Sequence, residues 1–397
     1  MLLTGCRLVL PDRSGVAGWL RISAGRIQSV GEGVAPAPEG TEEIWDIGGR
    51  IVAPGFIDQH VHGGGGGSYT DGDQAAACKA SAYHVQYGTT RGLASLVTAA
   101  VPELLSAIPS LADLAEQGLL EGIHLEGSFL SPTRCGAHDP RYLLNPDPEV
   151  LRQLLRAGRG KVRMVTVVPE LPGALELIRD IAGAGAVAAL GHSDANYAQA
   201  MAGVDAGARV VTHLYNGMRP FHHREPGLVG AVLEREEMTC EVIADPHHLN
   251  PAAVALAFRA VKGHVALISD ATSAAGAAAG IYGIGPARIR AENGAVYLEG
   301  TATIAGSTIT MADAVQHAVR DAGVPLELVS RAASMVPAHL LGLDRETGSI
   351  EVGKLADLVV LDEALVPVAV AVVGAWQAVA ADGITLASDV SVGEARA

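Results

Sequence analysis

The amino-acid sequence predicts an α/β chain: a (β/α)8 TIM-like barrel over residues 53–342, with a small β-sandwich domain formed by residues 1–52 and 343–397. Three observations predict it. Eight short apolar runs recur between Ile51 and Asp270 with helical segments between them, as expected of parallel strands buried on both faces. Several of those runs close on an imidazole or a carboxylate. The two ends of the chain both read as β.

Residues 1–50 read as short strands and tight turns. Trp19–Ser23 and Arg26–Val30 flank Ala24-Gly25, a hairpin signature, and Pro36 and Pro38 mark a loop. The barrel strands are expected to end near His62, Val97, Glu126, Val168, His192, His213, Ala244 and Asp270, with helices around 101–117, 149–157, 195–206 and 251–261. A helix at 310–321 is closed by Gly323 and Pro325. Residues 326–341 read as helical with an interruption at Pro337. Strand character returns from Gly348 to Asp362 and continues over 366–380, around Trp376.

With 397 residues, 49% of them apolar, the chain can build one large domain and a smaller one. The net charge of -15 argues against nucleic acid or an anionic membrane as partner. An anionic small substrate needs a local positive site. Cys6, Cys78, Cys135 and Cys240 are scattered without CxxC spacing, which favours a reducing, cytoplasmic setting. The sequence shows no signal-peptide pattern and no run of ~18 apolar residues.

The chemistry-bearing residues sit at the predicted strand exits. In Phe56-Ile57-Asp58-Gln59-His60-Val61-His62 the period of two puts both imidazoles on one face. Alone, that pair could be two surface histidines. Glu126, His192, His213 and Asp270 close four further runs, and strand exits of this fold converge on one mouth. Imidazoles and carboxylates around an open position suit a catalytic zinc or a similar divalent ion, with iron, cobalt and manganese also acceptable. Such an ion makes water a nucleophile at neutral pH. Asp270, last in the series, is the candidate to take that water's proton and pass it to a leaving group. Its rival role is a helix N-cap. The glycine run Gly63–Gly67 would let the backbone pass close to a metal site or ligand.

These motifs resemble the amidohydrolase superfamily. His60-Val61-His62 follows Ala53-Pro54-Gly55-Phe56-Ile57-Asp58, and Gly353-Lys354-Leu355-Ala356-Asp357-Leu358-Val359 lies near the other end. Within the superfamily, nearly the whole chain is similar to the N-acetylglucosamine-6-phosphate deacetylases. The matching pieces include His124-Leu125-Glu126-Gly127, Gly136-Ala137-His138, Gly191-His192-Ser193, Thr212-His213-Leu214-Tyr215-Asn216-Gly217-Met218, His223-Arg224-Glu225-Pro226-Gly227 and Leu267-Ile268-Ser269-Asp270-Ala271.

The resemblance implies roles. Glu126, His192 and His213 hold the principal metal; His60 and His62 hold a second, with Glu126 bridging, so one or two ions are expected. Asp270 is the general acid/base. His138 polarises the acetyl carbonyl or holds the sugar, and Asn216 and the backbone at Gly217 contact it. Arg224 and His248 bind the 6-phosphate across a homodimer interface. The planar donor fork of Arg224 suits a phosphate, against the alternative of a surface ion pair with Glu225 or Glu234. Asp245 is expected to shape its loop or support a neighbour, and His124 to be a core histidine. Three features depart from the family pattern: Ser128 for the usual proline, Pro246 for the usual glycine, and a longer segment at Glu299–Ser307.

The implied activity is metal-dependent hydrolysis of an N-acetylhexosamine 6-phosphate to acetate and the amino sugar phosphate. The alternatives are the galactosamine epimer, an N-acyl-D-amino-acid deacylase, a cyclic-amide hydrolase, and a non-catalytic scaffold. Several of those hydrolases bridge their metals with a carboxylated lysine. No lysine closes a strand here, and scaffold relatives usually lose the ligands that this chain keeps.

Overall fold

The computed structural model describes residues 1–380 and 384–386. Eight parallel strands form the barrel: β1 (Phe56–Val61), β2 (Thr89–Val97), β3 (Gly122–Glu126), β4 (Val162–Val167), β5 (Val187–Leu190), β6 (Val210–Val211), β7 (Thr239–Ile243) and β8 (His264–Ile268), ordered in sequence around one sheet. β1, β3 and β7 are buried along their whole length, their polar residues Asp58, Gln59, His60, His124 and Glu241 included. β8 returns to β1: the Asp270 amide donates to the His60 carbonyl (2.9 Å) and the Ser269 amide to Asp58 Oδ1 (3.3 Å). Burial, ahead of the bonds from Ser269, sets the balance at Asp58 and pushes its carboxyl up to about 7.

Eight helices follow the strands: α1 (Gln74–Gln86), α2 (Val101–Glu116), α3 (Pro148–Ala157), α4 (Ala174–Gly183), α5 (Tyr197–Ala206), α6 (Gly227–Leu233), α7 (Pro251–Ala260) and α8 (Met311–Arg320). Their starts are written locally. Asp147 caps α3 through the Glu149 and Val150 amides, with Pro148 at the first helical position. Asn196 with Gln199, and Thr310 with Asp313, form reciprocal caps on α5 and α8.

The sequence reading assigns no element between Asp270 and Thr310. The structure has three antiparallel strands there, Gly280–Ile284, Ala287–Glu292 and Ala295–Leu298, around a small core of Ile284, Ile289 and Val296. Asn293-Gly294, both at positive φ, makes the second turn.

The chain folds into two compact units. One holds Asp58–His84 and Arg91–Gly323. The other holds Met1–Ile57, Val85–Thr90 and the described residues from Val324 onward. In the second unit, strands from both ends of the chain share a sheet: Leu358–Leu361 pairs antiparallel with Ile51–Pro54, which pairs in parallel with Leu2–Leu10. The predicted hairpin is present, Arg13–Ser23 against Arg26–Glu32, turning through Ala24 and Gly25 at positive φ. The helical stretch after Pro325 contains a π-turn at Arg331–Met335 before Val336–Leu340, so Pro337 falls in the first turn of the last segment.

Candidate active site

The strand exits converge. His60 lies in β1 and His62 just after it, Glu126 ends β3, and His192, His213 and Asp270 each lie two residues past a strand end. His192, His213 and Asp270 have φ of 50°, 32° and 49°, the left-handed region that non-glycine residues seldom occupy. The chain turns off the barrel at these residues, and holding each there costs of the order of 1–3 kcal/mol.

Glu126 stands between two groups of donors. Its Oε1 is 3.1 Å from His192 Nε2 and 3.1 Å from His213 Nε2. Its Oε2 is 3.3 Å from His60 Nε2 and 3.1 Å from His62 Nε2. Asp270 Oδ1 joins the second group, 3.2 Å from His62 Nε2 and 3.6 Å from His60 Nε2. All six side chains are buried.

The ring nitrogens test whether this set fits a cation. His192 and His213 bring Nε2 atoms to 3.0 Å, and His60 and His62 to 3.3 Å. The Nδ1 atoms face acceptors: the Arg134, Asn216 and Ser95 carbonyls for His192, His213 and His62, and Glu241 for His60. Each Nδ1 therefore carries the hydrogen, and the four Nε2 atoms turn on one another and on two carboxylates. Such an arrangement calls for positive charge between them, and the site is compatible with a divalent metal.

The titration behaviour agrees. Burial opposes charge on His60, but Glu126, Glu241 and Asp270 raise it well above the ordinary histidine value. The same balance, with bonds to Asp270 and Glu126, brings His62 up to about 9. Burial would raise Glu126 and Asp270, yet the facing imidazoles hold Glu126 well below, and Asp270 below, the usual carboxylate range.

His138 is buried beside this set, its Nε2 3.6 Å from Glu126 Oε2. Its Nδ1 accepts the Thr98 amide (3.3 Å), leaving Nε2 as the donor. Burial, then the neighbouring His192 ring, pushes its pKa down to about 3, so the ring is neutral.

A cleft of about 370 Å3 opens over the set, within the roughly 300–1,000 Å3 of small-molecule sites. Asn216, Gly217 and His248 line it with His138 and Asp270. Gly217 has φ of 59°, and a Cβ there would lie 3.1 Å from His192 Nδ1. His248 is held by Asp245 through Nδ1 (2.8 Å) and its amide (2.6 Å). Burial opposes both charges, but the pairing lowers Asp245 and raises His248.

Arg224 is not brought to the cleft of its own chain. It lies in an exposed loop with Nη1 3.0 Å from His223 Nε2. The run Gly63–Gly67, directly after His62, packs its backbone on the segment after Asp270, donating to the Ala271, Ser273 and Ala275 carbonyls, and does not line the cleft itself. His124 is a core histidine between Ser95 and Thr166. Residues 302–306 of the longer segment line the cleft, as does the turn at Ile284, Pro286 and Ala287. Glu241 escaped the sequence reading, although a carboxylate inside the run Cys240-Glu241-Val242-Ile243 is itself a signal.

The model of the amidohydrolase family matches residues 51–388. The N-acetylglucosamine-6-phosphate deacetylase of Vibrio furnissii is 36% identical over 312 residues, 78% of each chain. The N-acetylgalactosamine-6-phosphate deacetylase of Escherichia coli O157:H7 is 35% identical over 357 residues, 88% of this chain and 93% of its own. Among solved structures, a mutant N-acetyl-D-glucosamine-6-phosphate deacetylase from Mycobacterium smegmatis, in complex with N-acetyl-D-glucosamine-6-phosphate, superposes with a TM-score of 0.91. It is 42% identical and the match covers 95% of this chain and 99% of that one.

Proposed function

The chain belongs to the amidohydrolase family, and on that premise we propose that it hydrolyses the acetamide of N-acetylglucosamine 6-phosphate to glucosamine 6-phosphate and acetate. The observation that carries the reading is Glu126, which turns one oxygen to His192 and His213 and the other to His60 and His62. The relatives' activities support the substrate class.

In this reading Glu126, His192 and His213 would hold the principal ion, and His60 and His62, which face the other Glu126 oxygen, would hold a second. Zinc is the first choice, and iron, cobalt or manganese suit the same donors. A bound ion supplies Lewis acidity, polarising the acetyl oxygen and activating water. Asp270, ionised at neutral pH, takes the proton of the attacking water and passes it to the departing nitrogen as the C–N bond breaks. His138, neutral with Nε2–H turned to the site, donates to the oxygen on which negative charge develops. Asn216 and the Gly217 backbone hold the sugar. His248, whose pKa the paired Asp245 raises against burial, meets the phosphate. Arg224 reaches the phosphate of a second copy in a homodimer.

The test is acetate release from N-acetylglucosamine, N-acetylgalactosamine and their 6-phosphates after adding defined ions to stripped protein, with ion content measured on the same samples. Fastest turnover of N-acetylglucosamine 6-phosphate supports the reading. Preference for the galactosamine epimer would move the assignment to that relative's activity, and equal turnover without phosphate would remove the phosphate site.

A further inference from the structure

Each of the four imidazoles facing Glu126 has its Nδ1 committed, but not to the same kind of partner. His62, His192 and His213 meet backbone carbonyls at 3.1, 3.0 and 3.1 Å. His60 Nδ1 meets a side chain, Glu241 Oε2, at 3.0 Å. Glu241 lies within β7 and is fully buried. Two further donors converge on it: Gln59 Nε2 on Oε1 (2.8 Å) and the His213 amide on Oε2 (3.4 Å). An amide nitrogen and a backbone N–H can only donate, so the carboxylate accepts from both, and the lone pairs left to it face His60.

A buried carboxylate is costly unless its bonds are made, and an apolar side chain in its place is often neutral or stabilising. Stability therefore does not explain a glutamate in the middle of a barrel strand. Its contacts suggest what does. We infer that Glu241 is the positioning residue of the His60–His62 ion subsite. It holds His60 with Nδ1–H toward β7 and Nε2 toward Glu126 and Asp270, and through the His213 amide it ties that subsite to the turn carrying the other. A negative acceptor also makes the opposite ring nitrogen a stronger ligand than a carbonyl would. Glu241 touches neither the cleft nor a reacting atom, so its main route to the ion is the His60 ring it holds. The inference rests on the reading that His60 and His62 take an ion.

The test is a double-mutant cycle read by ion binding. Wild type, Glu241→Gln, His60→Asn and the double variant are stripped and titrated with Zn2+ against a chromophoric chelator. Circular dichroism and melting check the fold. Glu241→Gln keeps size and shape and removes the charge. It is expected to weaken the more loosely held ion by roughly 10–100-fold. In the His60→Asn background the same change should add less than about twofold, because the partner it acts through is gone. Wild-type affinity in Glu241→Gln, or an equal loss in both backgrounds, overturns the inference, as does wild-type ion binding that His60→Asn leaves unaltered. Wild-type protein that binds no Zn2+ would instead overturn the metal reading.

Discussion

The two ends of the cleft are built by different rules. At the ion end, His60, His62, Glu126, His192, His213 and Asp270 are all buried, and each ring is fixed through its second nitrogen by a neighbour in the same chain. At the end proposed for the sugar phosphate, Asn216 and Gly217 are half-buried in a turn and His248 is braced by one carboxylate, while Arg224 is exposed in a loop that does not line this cleft. In the proposed reading chemistry is complete within one chain, whereas recognition rests on loops and on a second copy. A rigid barrel can therefore keep its reaction while its loops change what is brought to it.

The sharpest break of this comparison comes at Asp270. Asp270→Asn should lower kcat by roughly 10²–10⁴-fold, the worth of a positioned acid/base, while ion content stays at the wild-type level. If the ion were lost as well, Asp270 would be a ligand first and a proton carrier second.

Removing ions should act on stability as well as rate. Protein restored with free ion at about 100 times its Kd should gain ~2.7 kcal/mol over stripped protein in denaturant melts. Glu126→Gln should lose most of that gain, because one side chain serves both groups.

At the other end, Arg224→Ala should raise KM for the phosphorylated sugar and leave kcat nearly unchanged. A charge-assisted bond worth roughly 1.5–3 kcal/mol implies about a ten- to hundredfold rise. Mixing Arg224→Ala with Asp270→Asn chains should restore activity, since a hybrid dimer holds one site with both groups. Failure to complement would place Arg224 in its own chain's site or outside the reaction.

The smallest effect is expected at Asp245. Its folded pKa is depressed, so its share of stability is present above the ordinary aspartate value and is lost as pH falls through the lowered one. His248 is raised, so its share is present below the ordinary histidine value and is lost as pH rises through the raised one. The melting difference between wild type and Asp245→Asn should be greatest between those limits and shrink on both sides.

The same contrast explains what was legible in the sequence. Buried parallel strands are mostly apolar, so the imidazoles and carboxylates at their exits stand out, and the ion end could be read from spacing. The left-handed turns at His192, His213 and Asp270 could not, because nothing in those residue types requires positive φ. Glu241 was hidden inside a run whose apolar character defined it. Helix α1, alanine-rich over Gln74–Gln86, carries too weak an apolar stripe to announce itself. The strands at 280–298 are short and half-exposed, although Asn293-Gly294 marks one of their turns. The cleft-facing segments at 284–287 and 302–306 are joined by that small sheet, where the Ala305 amide donates to the Val296 carbonyl and the Leu298 amide to the Thr303 carbonyl.

The most direct measurement follows ion content and acetate release together as Zn2+ is returned to stripped wild-type protein and to Glu126→Gln. Wild-type release from N-acetylglucosamine 6-phosphate should begin near zero and climb in step with bound ion, and Glu126→Gln should recover neither. Full release from stripped protein, or normal ion uptake without Glu126, would contradict the account.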